Sequence, residues 1–396
     1  MNARVLEIIK VFLYSLPFVA ILVAGAVALG SGLIDFGSDD KKEATEVKTA
    51  RVVANGDILM HDILYTSAKK SDGTYDFEPY FKYVKDRISS ADLAIGDYEG
   101  TITDKYPLAG YPLFNAPSSI AQTLKNTGYD MVDLAHNHIL DSGLKGAIDT
   151  VDTFRNLGID TVGFHKDDRS KEGIVIKEVN GIKIATIAYT YGYNGLDSGL
   201  TPEQKEKHLS DLNQEKMKAE IERAEKEADV TIIMPQDGVE YALEPTQAQR
   251  DLYRKMVEWG ADVVFGGHPH VIEPSETITK DGDKKFIIYS MGNFISNQTL
   301  ERLGNKWTER GLLMDVTFEK TGDKTIVKTV QAHPTLVWAT PKGVVGPEGY
   351  QYFDYRVMVL EDFIEGGKYR QELDAAMQAK VDTAYKETKE LVNLQW

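Results

Sequence analysis

Residues 263–270 read Val-Val-Phe-Gly-Gly-His-Pro-His. Three large apolar residues closed by a glycine pair have the length and composition of a short buried strand. The two histidines that follow are one residue apart. In extended backbone, positions i and i+2 project to one side, so His268 and His270 are expected to share a metal site. The same design recurs upstream: Arg51–Leu59, Asp92–Ile95, Met131–Leu134, Lys183–Tyr189 and Val230–Met234 are short apolar runs. Helical patterns lie between them over Pro79–Ser89, Ser118–Asn126, Leu144–Leu157, Leu212–Glu227 and Thr246–Trp259. That alternation is α/β organisation. Downstream, Val271–Thr279, Lys285–Tyr289, Gly311–Phe318 and Ile326–His333 follow strand after strand, as expected of a second, more antiparallel sheet. Tyr369 to Val392, with Leu373, Met377, Val381 and Tyr385 four apart, has the pattern of a charged amphipathic helix packed on the surface.

Chemistry-bearing residues gather where these strands end. Gly56-Asp57 is followed by His61, and Gly96-Asp97-Tyr98-Glu99-Gly100 closes the second run. Ala135-His136-Asn137-His138 with Asp141 comes next, then Pro235-Gln236-Asp237-Gly238 and the opening stretch. Open α/β sheets bind ligands outside the carboxyl ends of their strands. Five of the eight histidines fall in these segments, a concentration that random scatter rarely produces. Taken singly, a Gly-Asp pair is a common turn and Asp-x-Glu a solvated or capping pair. In His136-Asn137-His138 side chains alternating on a strand end would send at most two to one site. Together the segments supply what a divalent-metal site needs: carboxylates to bridge, imidazoles as terminal ligands and glycines for tight turns.

Composition narrows the class. The 396 residues, 42% hydrophobic and 27% charged, suffice for one large domain or two ordinary ones. With 45 Lys and Arg against 61 Asp and Glu, the net charge of -16 repels nucleic acid. There is no cysteine, which excludes disulfides and thiolate chemistry, so any metal is held by N and O ligands. Imidazole with carboxylate suits Zn, Mn or Fe, and does not distinguish them from Mg. Val11 to Ile34 carries no charge, follows Arg4 and Lys10, and precedes Asp35, Asp39 and Asp40. A helix of that length spans about 36 Å, enough for a bilayer core, and its basic flank belongs inside. The expected organisation is a cytoplasmic segment 1–10, a single-pass transmembrane anchor 11–34, a linker 35–50, an extracellular domain 51–340 and a C-terminal extension 341–396 ending in the helix. A cleaved signal peptide, with small residues at Ala24, Ala26 and Ala28, is the alternative, but the apolar run exceeds an ordinary signal core.

In order, Gly-Asp-Ile-Leu-Met-His, Gly-Asp-Tyr-Glu-Gly, Ala-His-Asn-His-Ile-Leu-Asp-Ser-Gly, Gly-Gly-His-Pro-His-Val-Ile-Glu-Pro and Tyr-Ser-Met-Gly-Asn-Phe run from about Val52 to Asn297. The chain thereby resembles the CapA and PgsA proteins of bacterial capsule and poly-γ-glutamate synthesis, whose outer domain is similar to calcineurin-type metallophosphoesterases. The resemblance implies a metallophosphatase-like four-layer α/β/β/α sandwich behind one N-terminal transmembrane helix. It also implies one or two divalent ions: Asp57 and His270 on one, Asn137 and His268 on the other, Glu99 or Asp97 bridging, and Gln236 as a further ligand. His138, with Asp141, would be the acid beside the leaving group, and His61, His136, Asn293 and Arg310 are candidate substrate contacts. For Asn293 and Arg310 a turn former and a surface cation are the plainer readings. The implied partners are an envelope polymer or its precursor and membrane synthase subunits. The chain departs from the pattern twice: Leu59 stands where a phosphoesterase histidine belongs, and Gln236 where relatives carry His. Two functions follow, a metal-dependent hydrolase of the phosphoesterase kind, or a polymer-binding accessory with a structural or vestigial metal site.

Overall fold

Val52 and Val53 set the layering, because consecutive side chains on a strand point to opposite faces. Val52 belongs to an apolar cluster that also holds Ile184, Ile232 and Val263 from a second sheet. Val53 belongs to another, with Leu64, Leu124 and Phe154 from helices. In this computed structural model residues 46–347 and 349–396 are described. The strands are β1 (Val47–Leu59), β2 (Leu93–Glu99), β3 (Met131–Asp133), β4 (Asp160–Val162), β5 (Val175–Val179), β6 (Ile182–Thr190) and β7 (Val230–Gln236). They continue as β8 (Val263–Phe265), β9 (Ser275–Lys280), β10 (Asp283–Ile288), β11 (Asn293–Ile295), β12 (Arg310–Thr321), β13 (Lys324–Val345) and β14 (Gln351–Val359).

One sheet has the order β14-β13-β12-β1-β2-β3-β4, with β11 paired to the end of β1; the other runs β5-β6-β7-β8-β10-β9. Helices 214–227 and 247–259 cover the outer face of the second sheet through Met217, Ile221, Tyr253 and Met256. The result is an α/β/β/α arrangement. The late strands do not form a sheet of their own. β12, β13 and β14 extend the first sheet antiparallel from β1, whereas β9 and β10 complete the second, in which β6, β7, β8 and β10 are parallel. Both sheets are therefore mixed, since each strand joins the edge that buries its apolar side, whatever its order in the chain.

The chain from Val47 to Trp396 is one compact unit, and the expected boundary at 340 falls inside β13. The C-terminal helix starts later than its periodicity suggested, at Ala375, because the Asp374 side chain accepts the Met377 N–H at 2.8 Å and caps it. It packs Val381 and Ala384 onto Leu336 and Met358. The segment expected to be one helix over Pro79–Ser89 is instead a 3-10 turn, Glu78–Phe81, and a short helix, Lys85–Ser89. The expected strand from Val271 begins only at Ser275. The cytoplasmic segment 1–10 and the anchor 11–34 lie outside the described residues, as does most of the linker. Among the described residues no helix is long and apolar enough to cross a membrane.

Candidate metal centre

The carboxyl ends of β1, β2, β3, β7 and β8 converge, and each delivers polar side chains into a buried space. Gly56 makes the first approach possible: a Cβ there would lie 1.8 Å from the Gly292 carbonyl oxygen. The close contact lets the Asp57 N–H donate to that carbonyl at 3.0 Å and brings Asp57 level with Asn293 of β11. Asp57, Glu99 and His270 form one group, each offering a ligand atom within 4.8 Å of the others. His270 Nδ1 is 2.8 Å from Asp57 Oδ2 and 3.9 Å from Glu99 Oε2.

His268 and His270 do reach one region, but not as extended backbone. Their φ angles are +96° and +56°, so the loop turns through left-handed conformations that bulky residues rarely adopt, a strain characteristic of functional sites. His136 to His138 likewise lie in a turn past the end of β3, so strand alternation does not govern them. His138 Nδ1 faces Asp141 Oδ2 at 2.7 Å, an oxygen that also accepts the Phe114 N–H at 2.6 Å. This leaves His138 Nε2 3.9 Å from Glu99 Oε1. His136 Nε2 accepts the Gly100 N–H at 3.4 Å. Asn137 is bonded to Asn194 at 3.3 Å through its amide nitrogen. Half-buried His61 stands at the N-terminal boundary of the helix after β1 without a side-chain bond to it, and its Nδ1 accepts the Asn297 N–H at 3.3 Å.

Two expected substrate contacts have other work. The Asn293 amide donates to the carbonyl oxygens of His270 and Thr308 and to Gln298 Oε1, and its own oxygen is 3.1 Å from His270 Nδ1, so it holds the His270 loop in place. Arg310 is buried, pairs with Glu387 of the C-terminal helix at 2.8 Å and lies 4.6 Å from the Trp307 ring centre. It is not a surface cation, because its guanidinium is buried and fastens the last helix to the sheet.

The electrostatics call for a cation. Asp57, Asp97, Glu99 and Asp133 are all buried, and among the described residues none pairs with Lys or Arg. Burying carboxylates without compensation is costly, so they protonate or bind a metal. Burial pushes Glu99 up to about 7, with His270 opposing the rise and Asp57 adding to it. Asp97 is pushed far above the usual carboxylate range by burial and by Asp133 and Asp57. Burial would lower His270, yet Glu99 and Asp57 carry it up to about 9. His268 falls to about 3 through burial and the neighbouring His270. For His138, burial works downward, but the bond to Asp141 and the charge of Glu99 prevail and raise it.

The donor set fits a divalent ion. Asp57 Oδ1, both Glu99 carboxylate oxygens, Asp97 Oδ1, Asn137 Oδ1, His268 Nδ1 and both amide atoms of Gln236 are buried with no hydrogen-bond partner. Gly267 keeps the space between them open: a Cβ there would stand 2.7 Å from Asp97 Oδ2 and 3.3 Å from Asp57 Oδ1. Asp57, Glu99 and His270 form one close anionic set, and beside Gly267 the Asp97 carboxylate and the Gln236 side chain come near each other. A metal bound here would supply Lewis acidity and a bound water of lowered pKa. Sequence reasoning missed Asp133, which pairs in register with Asp97; an acid inside an apolar run was its signal. It also missed Phe114, Tyr191 and Asn194, which come from loops without any local pattern.

The fold is thus an α/β/β/α sandwich with a buried carboxylate–imidazole group at its strand ends that could hold a metal ion. The chain belongs to the family of bacterial capsule synthesis proteins, PGA_cap, whose profile matches residues 51–298. It is 29% identical over 252 residues to the capsule biosynthesis protein CapA of Bacillus anthracis, covering 61% of this chain and 59% of that one. To the PGA biosynthesis protein CapA of Bacillus subtilis it is 30% identical over 250 residues, 61% and 62% of the two. The chain thus matches about three-fifths of the length of these relatives. Among solved structures, the calcineurin-like phosphoesterase YfkN of Bacillus subtilis aligns with 73% of this chain and 91% of its own, at 18% identity and a TM-score of 0.44. The NAD nucleotidase NadN of Haemophilus influenzae aligns with 87% and 61%, at 12% identity and a TM-score of 0.41.

Proposed function

We propose that this chain is a membrane-anchored, outward-facing protein of capsule or poly-γ-glutamate synthesis whose metal centre hydrolyses a bond, of the phosphoester kind, in an envelope polymer or its precursor. The observation that carries the reading is the set of four buried carboxylates without a Lys or Arg partner among the described residues, two of which, Asp57 and Asp97, line the open space at Gly267. Asp57, Glu99 and His270 hold the tighter ion; Asp97, Asn137, Gln236 and His268 offer a second, weaker position. His138, oriented by Asp141, carries a proton toward the leaving group. The anchor at 11–34 tethers the domain beside the membrane synthase subunits it serves.

A second reading has its own support. Gln236 offers an amide oxygen, a weaker donor than imidazole to a borderline-soft ion, and Leu59 offers no donor. A half-furnished centre suits a polymer-binding accessory with a structural metal. Metal analysis of the full chain, purified without chelator beside a His268→Ala, His270→Ala variant, decides whether the centre binds metal; equal, near-zero content in both sinks the reading. Turnover of bis(p-nitrophenyl) phosphate by the loaded chain, lost in His138→Ala with metal retained, supports the hydrolase; metal without turnover favours the accessory. Cell fractionation with protease shaving tests the anchor, and full-length protein in the soluble fraction would remove it.

A further inference from the structure

The mouth of the metal centre is aromatic. Tyr191, just past β6, is 45% exposed and its ring centre is 4.4 Å from that of His268. Tyr241 is 40% exposed, and its ring lies 6.2 Å from that of His270. A φ of +66° and a 2.8 Å bond from its N–H to the Pro269 carbonyl hold it there, a conformation costly for a bulky side chain. Tyr111 is 79% exposed and packs 6.5 Å from Phe114, whose ring is itself 4.7 Å from that of His138. Three rings exposed to water thus each stand within one neighbour of a histidine of the centre. Isolated exposed apolar groups need no explanation, but a group ringing a polar site marks a binding surface.

The charges around the rings narrow the ligand. Glu240, exposed and adjacent to Tyr241 in the chain, brings a carboxylate to the collar. On the side of the mouth where the His61 ring lies 5.2 Å from that of Phe114, exposed Arg302 acts electrostatically on His61 and is in no ion pair among the described residues. A polyanion with a carboxylate on every unit would meet Glu240 and a chain of net charge -16. A sugar has the opposite requirements. One face of a pyranose is a sheet of C–H groups that seats on an aromatic ring, and its edge is a row of hydroxyl donors for an acceptor-only carboxylate.

We propose that Tyr111, Tyr191 and Tyr241, with Glu240, form a saccharide-binding collar that presents a sugar-linked bond to the metal centre, with Arg302 taking a single anionic group beside it. The proposal rests on the metal-centre reading for its purpose, but binding by the collar does not need the ion. The test uses the full chain, metal-loaded and metal-stripped, titrated calorimetrically with a panel of soluble chito-, cello- and galacto-oligosaccharides and with a γ-glutamyl tetramer. At least one oligosaccharide binds both forms, more tightly than the γ-glutamyl tetramer. Tyr241→Ala and Tyr191→Ala each weaken it tenfold or more, Glu240→Gln weakens it several-fold, and metal content is unchanged in all three. Binding of no oligosaccharide, tighter binding of the tetramer, or saccharide affinity indifferent to the tyrosines would overturn it. An absence of metal in the wild-type chain would instead strike the metal-centre reading and leave the collar to be scored on its own.

Discussion

Gly267→Ala separates the space for a metal from the ligands that hold it, since it adds one methyl group and removes no donor. The new Cβ would lie 2.7 Å from Asp97 Oδ2, about 0.7 Å inside the 3.4 Å at which ordinary contact begins, and 3.3 Å from Asp57 Oδ1. The backbone cannot swing away easily, because Gly267 N–H donates to the Pro235 carbonyl at 3.0 Å and its own carbonyl accepts from Asp237 N–H at 3.2 Å. The carboxylates must therefore move, by several times the ~0.2 Å tolerance of metal–ligand distances. Displacing an outer-shell group that orients a ligand costs about 10- to 100-fold in affinity, and a displaced ligand should cost at least that. The position has no positive φ, so the fold should be nearly undisturbed. Calorimetric titration of the stripped chain with Mn or Zn gives the affinity, and thermal melting the stability. Gly199→Ala, where a Cβ meets nothing within 4 Å, is the control. If Gly267→Ala binds metal like the wild type, or Gly199→Ala loses as much, the cradle does not hold the ion.

Three further outcomes follow from the same geometry. His270, raised to about 9, and Glu99, raised to about 7, still hold protons at pH 7 that a divalent ion displaces, and the release from these two falls as pH rises through both values; titrations in buffers of different ionisation enthalpy follow it, and an absence of release removes these two residues as ligands. Arg310→Ala loses the Glu387 pair and the Trp307 stack, so it should destabilise the chain by about 1–3 kcal/mol with metal content unchanged; loss of metal without a lower Tm would return Arg310 to the site. His333 is lowered by burial but raised overall by Asp315, 3.8 Å away, and by the hydrogen bond to Glu361 at 2.5 Å, both of which are themselves depressed. A raised folded pKa stabilises fully below the unfolded value of about 6.5 and is lost as pH rises through the folded one, while the depressed carboxylates contribute above about 4 and are lost as pH falls. Stability from this trio should therefore peak in mildly acidic solution, and His333→Gln should flatten the fall in Tm from that peak toward neutral and alkaline pH.

The strand ends were legible because turn glycines beside Asp, Glu and His are local patterns, and five such segments in order admit few architectures. Asp57, Glu99 and His270 stood out as candidates by residue type and position, and the family resemblance implied their roles as ligands. Their grouping could not: Asp57 and His270 are 213 positions apart and meet only because β8 enters one sheet while β1 lies in the other. Arg310 was misread for the same reason, since a lone arginine before a strand gives no hint of the helix that covers it 77 residues later.

By itself, then, the order of residues determined the α/β alternation, the absence of thiol chemistry, the apolar run at 11–34 and the ligand types, because these depend on periodicity and composition within a few residues. Tertiary structure alone decided which strands share a sheet, that His268 and His270 sit in left-handed turns, that Asp57, Glu99 and His270 come together, and that Tyr191 and Tyr241 pack beside those histidines. Those features arise from contacts between distant segments, whose energies come from burial and geometry rather than from any local pattern.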